Sequence, residues 1–145
     1  MYRIQPTEAI HVPGYHLVRK ALVHTAGEPL YRTLEVVLSN LSAGHPQFVA
    51  IVANEVVGWC NIVPGDDASG GQMTGGVAAG FRGRGIGSAL VVAALAQAES
   101  KGMVKVQLEI PADDVQAYRF LARFGFAGTS PAGDECTMSL VRPAN

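Results

Sequence analysis

Apolar positions change their spacing along the chain, and the changes mark the elements. Over Leu30 to Ser42, the residues Leu30, Leu34, Val37, Leu38 and Leu41 recur at helical intervals, and Gly44 and Pro46 stop the run. Upstream, Leu17, Ala21 and Leu22 share one helical face, but Pro13–Gly14 reads as an interruption to any longer helix within Thr7 to Ala26. Residues 1–5 read as a short first strand. Phe48 to Ala53 and Val56 to Val63 are β-rich runs divided by Asn54–Glu55, which predicts an antiparallel hairpin. Pro64 to Gln72 holds Gly65, Asp66, Asp67, Gly70 and Gly71 and reads as an exposed loop. Met73 to Ala79 reads as a fourth strand although it contains Gly75 and Gly76. Adjacent glycines inside a strand point to a bulge or to close approach by a ligand or another backbone.

Beyond the strand the chain turns glycine-rich from Phe81 to Ser88. A helix follows from Ile86 to Lys101, apolar almost all round, and Gly102 stops it. A helix of that kind is expected to lie against a sheet. Val104 to Ile110 reads as the fifth strand. Asp114 stands where an N-cap belongs, ahead of a helix with Ala117, Phe120, Leu121 and Phe124 on one stripe and Arg119 and Arg123 opposite. Gly125 ends that helix, and Cys136 to Val141 is the last strand. Helices, then a meander, then strand–helix–strand–helix–strand make a mixed α/β (α+β) layer fold.

Composition narrows the field. With 145 residues, 48% of them hydrophobic and 16% charged, residues 1–145 make one domain able to fill a core. A net charge of −1 gives no reason to expect nucleic acid as a partner. No apolar run is long enough to span a bilayer and no signal-peptide pattern opens the chain, so a soluble cytoplasmic protein is expected, with no membrane partner. Cys60 and Cys136 form no metal pattern, and His11, His16, His24 and His45 lack zinc spacing, so no metal is expected.

The segment Arg82-Gly83-Arg84-Gly85-Ile86-Gly87 lies between a strand and a buried helix. There the first helical N–H groups have no intrahelical partner and the macrodipole is positive. Glycines let phosphate oxygens come close, and two arginines add charge. A glycine turn that merely packs helix on sheet explains the glycines alone equally well; the arginines favour phosphate. Ile86-Gly87-Ser88 after Gly85 lacks the lysine of a Walker loop. Gly83, Gly85 and Ser88 match only two glycines of the dinucleotide fingerprint.

Val77-Ala78-Ala79-Gly80-Phe81-Arg82-Gly83-Arg84-Gly85-Ile86-Gly87-Ser88-Ala89-Leu90 resembles motif A of the GNAT acyltransferases, with Arg82, Gly85 and Gly87 at its Arg/Gln-x-x-Gly-x-Gly/Ala core. Leu108-Glu109-Ile110, Asp114, Ala117, Phe120 and Gly125-Phe126 resemble the family's second conserved stretch, and the two together cover about half the chain. The resemblance implies one domain with a mixed central sheet of roughly six to seven strands and about four helices. It implies an N-acetyltransferase with acetyl-CoA as cosubstrate, acting on a small-molecule amine or a peptide or protein N-terminus. The backbone of Val77, Ala78 and Ala79 would pair with pantetheine, and Arg82, Gly83, Arg84, Gly85, Ile86, Gly87 and Ser88 would hold the pyrophosphate. The oligomeric state is unreadable, and a homodimer is compatible with the sequence.

Two positions carry the expected chemistry. Glu109 is the carboxylate on the two strands that would splay around the thioester, and it resembles the general base of the ribosomal-protein N-terminal acetyltransferases; a solvent-facing strand glutamate is the plainer reading. It is expected to stand alone beside a desolvated cleft. The family's usual tyrosine acid falls at Leu121, which has no proton to give, so Tyr118, one turn earlier on the same broad face, is the substitute; a buried core tyrosine is the plainer reading. Asp114 replaces the usual Asn beside the cofactor, keeping a cap and losing an amide donor. Trp59, Tyr15 and Tyr31 are candidates to line the acceptor pocket. The Leu121 departure keeps a catalytically weak acyl-CoA-binding or regulatory module as the alternative function, and a nucleotide-binding protein as a third.

Overall fold

The computed structural model describes residues 1–23, 29–65, 69–129 and 133–141. His24, Asp66 and Asp67 lie outside them. The strands are β1 (Arg3–Pro6), β2 (Gln47–Val52), β3 (Glu55–Pro64), β4 (Gly70–Val77), β5 (Lys105–Pro111), β6 (Ala127–Gly128) and β7 (Glu135–Val141). The helices are α1 (Val12–Val23), α2 (Leu30–Ser42), α3 (Ile86–Ser100) and α4 (Val115–Ala122), with single 3-10 turns at Ala9–His11 and Ala79–Phe81. The seven strands among the described residues form one sheet in the order β1-β2-β3-β4-β5-β7-β6, antiparallel except for β4 with β5. No helix among the described residues is long and apolar enough to cross a membrane.

The sheet separates two cores. On one face α3 and α4 supply Ile86, Leu90, Leu95 and Leu121 against Cys60, Ile62, Met73, Val106 and Ile110. On the other, α1 and α2 supply Val12, Tyr15 and Val37 against Val49, Ile51 and Trp59. Strand side chains alternate between faces, so Trp59 and Cys60, adjacent in sequence, belong to different cores.

Several boundaries differ from the sequence reading. Pro13 and Gly14 do not interrupt the first helix; they sit in its first turn, where proline lacks only an N–H that has no intrahelical partner anyway. The hairpin turn is Ala53–Asn54, both at positive φ (49° and 66°), one residue earlier than expected, as a two-residue turn between twisted strands requires. β4 begins at Gly70 and ends at Val77, so its start falls inside the expected loop and Ala78 and Ala79 fall outside it. The two-residue β6 was not foreseen; it pairs with β7.

Candidate functional site

The parallel contact between β4 and β5 is short. It pairs Gly70, Gly71 and Gln72 with Lys105, Val106 and Gln107 and then stops. β4 continues to Val77 on β3 alone, and β5 continues to Pro111 on β7 alone. The two strands therefore diverge toward their C-terminal ends and leave a gap in mid-sheet. A cleft of about 670 Å³ occupies it, lined by Met73, Gly75, Gly76 and Val77 on one side and Leu108 and Ile110 on the other. The cleft runs on past Gly83, Gly85, Ile86, Gly87 and Ser88 to Asp114, the N-cap of α4, and to Gln116 and Ala117 within it.

The edge of β4 beyond the contact with β5 turns backbone groups away from β3. Ala78 N–H donates to Val57 C=O at 2.8 Å, which fixes the alternation of the β3–β4 ladder. Val77 and Gly75 then turn their N–H and C=O away from β3 and toward the gap. The Val77 carbonyl accepts from Arg82 Nε at 3.2 Å, consistent with that direction. Of the three residues expected to pair with pantetheine, only Val77 lies on the strand. The Ala78 donor is spent on Val57, and Ala79 begins a 3-10 turn.

The glycine turn leaves backbone N–H groups exposed at the start of α3. Gly83 and Gly85 hold φ of 77° and 84°, the left-handed region, and Gly85 is the N-cap of α3. A Cβ at Gly83 would meet nothing within 4 Å, and one at Gly85 only the Tyr2 hydroxyl at 3.7 Å, so this side is open. The first intrahelical bond is Ala89 N–H to Gly85 C=O at 3.1 Å, which leaves the N–H groups of Ile86, Gly87 and Ser88 without helical acceptors. Arg82 lines the cleft; Arg84 instead lies over the Phe81 ring at 5.3 Å and is not among the lining residues. A Cβ on Gly87 would stand 3.4 Å from Phe120 Cζ, so this glycine also sets how closely α3 and α4 pack.

Asp114 caps α4: its Oδ1 accepts from Ala117 N–H at 3.0 Å. Leu121 is buried and lines the cleft. Tyr118 neither lines the cleft nor sits in the core. It is 43% exposed and its ring packs on β6, where a Cβ on Gly128 would meet it at 2.5 Å. The helix turns about 100° per residue, so Leu121 and Tyr118 diverge enough to face different neighbours. Arg123, placed opposite the apolar stripe by the sequence, instead lines the cleft with its guanidinium 5.4 Å from the Phe120 ring centre. The i,i+3 spacing from Phe120 was the signal that could have found it.

Glu109 is exposed and does not line the cleft, whereas its neighbours Leu108 and Ile110 do. It points to the α1–α2 face of the sheet. It does not stand alone: Glu135 on β7 forms a side-chain hydrogen bond with it, and that bond and the Glu109 charge push the Glu135 carboxyl upward. On the same face, Tyr15 contacts Trp59 edge-on at 5.8 Å, and Asn61 Nδ2 donates to the Tyr15 hydroxyl at 3.3 Å. Tyr31 is 62% exposed on α2. Trp59 is the one of the three aromatic candidates that lines the cleft. Cys60 lines it too, and burial pushes its thiol up to about 12, so it is neutral. Among the described residues no group of His, Cys, Asp and Glu is arranged to hold a metal.

The family model described as acetyltransferase (GNAT) family matches residues 15–126. Solved structures with this fold include an N-acetyltransferase from Staphylococcus aureus Mu50, with TM-score 0.86, 15% identity, and coverage of 97% of this chain and 98% of that one. A ribosomal-protein-alanine N-acetyltransferase from Brucella melitensis superposes with TM-score 0.87 at 17% identity, over 96% and 99% of the two chains. The Salmonella typhimurium protein yncA, solved with its cofactor acetyl-CoA, gives TM-score 0.86 at 16% identity, over 98% and 94%. No curated protein sequence matches the chain significantly.

Proposed function

The chain belongs to the acetyltransferase (GNAT) family, and we propose on that premise that it transfers an acetyl group from acetyl-CoA to a primary amine, carried by a small molecule or by a peptide or protein N-terminus. The observation that carries this reading is the gap between β4 and β5 joined, in one cleft, to the glycine cradle at the start of α3.

The residues fit that cosubstrate. Arg82 and the backbone of Gly83 to Ser88 would hold the pyrophosphate, with the unpartnered N–H groups of Ile86, Gly87 and Ser88 as donors. The free edge at Gly75 and Val77 would pair with the pantetheine amides as an added strand. The thioester then lies in the gap, reachable by an amine from the α1–α2 face.

The amine must lose a proton. One with pKa near 10.4 is only about 0.1% neutral at pH 7.4, a barrier contribution of roughly 4 kcal/mol. Glu109, on the face the amine would approach, accepts that proton through water in this reading. The new N–C bond forms as the C–S bond breaks, and a backbone donor on the open β4 edge steadies the charge that develops on the carbonyl oxygen. With a thiol pKa near 8.5, the sulfur can leave as thiolate, which suits a site with Leu121 where an acid would stand.

Acetyl-CoA affinity by calorimetry, followed by CoA release across a panel of amines and peptides, tests the proposal. Glu109→Gln should keep the affinity and lower turnover by roughly 10²–10⁴-fold near neutral pH, with partial recovery at higher pH. Superimposable pH–rate profiles would remove Glu109 from the mechanism. The position of Leu121 in the cleft and of Tyr118 outside it favours one second reading, an acyl-CoA-binding module without turnover. Tight acetyl-CoA binding with no CoA release on any acceptor would select it.

A further inference from the structure

Gly76 lies under an indole. A Cβ there would stand 2.9 Å from Cη2 and 3.0 Å from Cζ3 of Trp59, and 3.0 Å from Cδ1 of Leu22. Trp59 is 2% exposed and belongs to the α1–α2 core, where Tyr15 meets it edge-on with an interplanar angle of 76°. It nevertheless lines the cleft, whose other buried apolar walls, Cys60, Met73 and Ile110, come from the opposite core. The indole can do this only because Gly76 puts no side chain between it and the gap.

We propose that Trp59, seated on Gly76, is the end wall of the acyl compartment and restricts the protein to short, uncharged acyl groups; the proposal rests on reading the cleft as an acyl-CoA site. The strands set the depth. From the cradle at α3 the open edge runs through Val77 to Gly75, and the gap closes where Gln72 pairs with Gln107. An acyl group at the end of that track lies level with Gly75 and Gly76. Carbons beyond the acetyl methyl must displace Met73 or Ile110, both buried, or push against the indole. Close-packed interiors resist such insertion. The indole is itself braced edge-on by Tyr15.

The wall also selects against charge. Its side chains at this end are apolar apart from the neutral Cys60 thiol. The Trp59 Nε1–H is sequestered from solvent and has no hydrogen-bond partner, so it offers nothing to an acyl carboxylate. A malonyl or succinyl group would bury its charge unpaired.

The test is the calorimetric affinity of the whole chain for CoA and for acetyl-, butyryl-, hexanoyl- and succinyl-CoA, which needs no acceptor. The parent should bind CoA and acetyl-CoA within a few-fold of one another and the hexanoyl and succinyl esters at least about ten-fold more weakly, the scale of overpacking or of an unpaired buried charge. Trp59→Phe keeps a buried ring and removes the far edge that covers Gly76; it should recover most of the lost hexanoyl-CoA affinity and little of the succinyl-CoA affinity. Equal affinity of the parent for acetyl- and hexanoyl-CoA overturns the proposal without recourse to any variant. So does a folded Trp59→Phe protein that keeps the parent's full discrimination. A parent that binds no CoA ester at all overturns the underlying reading of the cleft, and this inference falls with it.

Discussion

Glu109 on β5 and Glu135 on β7 present their carboxyl groups on the same face of the sheet, one beside the other. They are diagonal neighbours in the sheet, since Glu109 is opposite Thr137 and Pro111 is opposite Glu135. The hydrogen bond, then the Glu109 charge, raise the Glu135 carboxyl above its ordinary 4.5, with smaller contributions from desolvation and from Asp134.

The sign of the pH dependence follows. A carboxyl whose folded value is raised contributes stability that is fully present below 4.5 and is lost as pH rises through the raised value, as Glu135 ionises beside its neighbours. Glu135→Gln keeps a donor for Glu109 at every pH and removes the second charge. We expect it to raise the melting temperature relative to the parent at pH 7 and to leave it nearly unchanged at pH 4. Thermal unfolding of both proteins at the two pH values measures this, and an equal difference at both would contradict the pairing.

At the cradle, Gly85→Glu places a carboxylate where phosphate oxygens are proposed to lie, and it forces a side chain onto φ of 84°. Gly85→Ala keeps the strain, about 1–2 kcal/mol, without the charge. CoA binding should be abolished in the first and only weakened in the second. A folded Gly85→Glu protein that binds CoA like the parent in calorimetry would move the phosphate site elsewhere.

Asp114 presents a carboxylate to the same cleft while capping α4. Asn caps a helix about as well as Asp, and it adds an amide donor in place of a negative charge. Asp114→Asn should therefore tighten CoA binding several-fold with little change in melting temperature, on the scale of about 0.5–1.5 kcal/mol for one net hydrogen bond. Unchanged or weaker binding would show that residue 114 acts on the helix alone.

What the sequence showed depended on how local the cause was. Leu30 to Ser42 has both its period and its stop signals within one segment, and the helix spans those residues. The glycine turn at the start of α3 is equally local, because positive φ at Gly83 and Gly85 is a property of those residues. Gly75 and Gly76 signalled a close approach within the strand, but the contact of Gly76 with the Trp59 indole is set by a strand more than ten residues away in sequence. Tyr118 and Glu109 show the limit. Tyr118 is drawn out of the expected face by β6, a strand only two residues long with no periodic signature. Glu109 looked solitary because its partner Glu135 arrives from β7 through sheet pairing that no window of sequence contains.

Arg123 differs, because its i,i+3 spacing from Phe120 is local, and it yields the sharpest test of the cleft. It lines the cleft at the C-terminal end of α4, its guanidinium stacked on Phe120, while Phe120 in turn packs against Gly87 at the start of α3. A cation held in place by a ring, on the same cleft as the glycine cradle, is suited to a phosphate of the cosubstrate. Removing a hydrogen bond to a charged group costs about 1.5–3 kcal/mol, so Arg123→Ala should weaken CoA binding roughly ten-fold or more. Truncation also removes the stacking on Phe120, so Arg123→Met is the better control: it keeps an apolar stem over the ring and drops the charge. Both variants should lose affinity, and the salt dependence of binding should become shallower in both, because one phosphate contact has gone. If Arg123→Met binds CoA as the parent does across the salt series while Arg123→Ala does not, the residue serves to pack Phe120 and the phosphate contacts lie with Arg82 and the backbone of the turn.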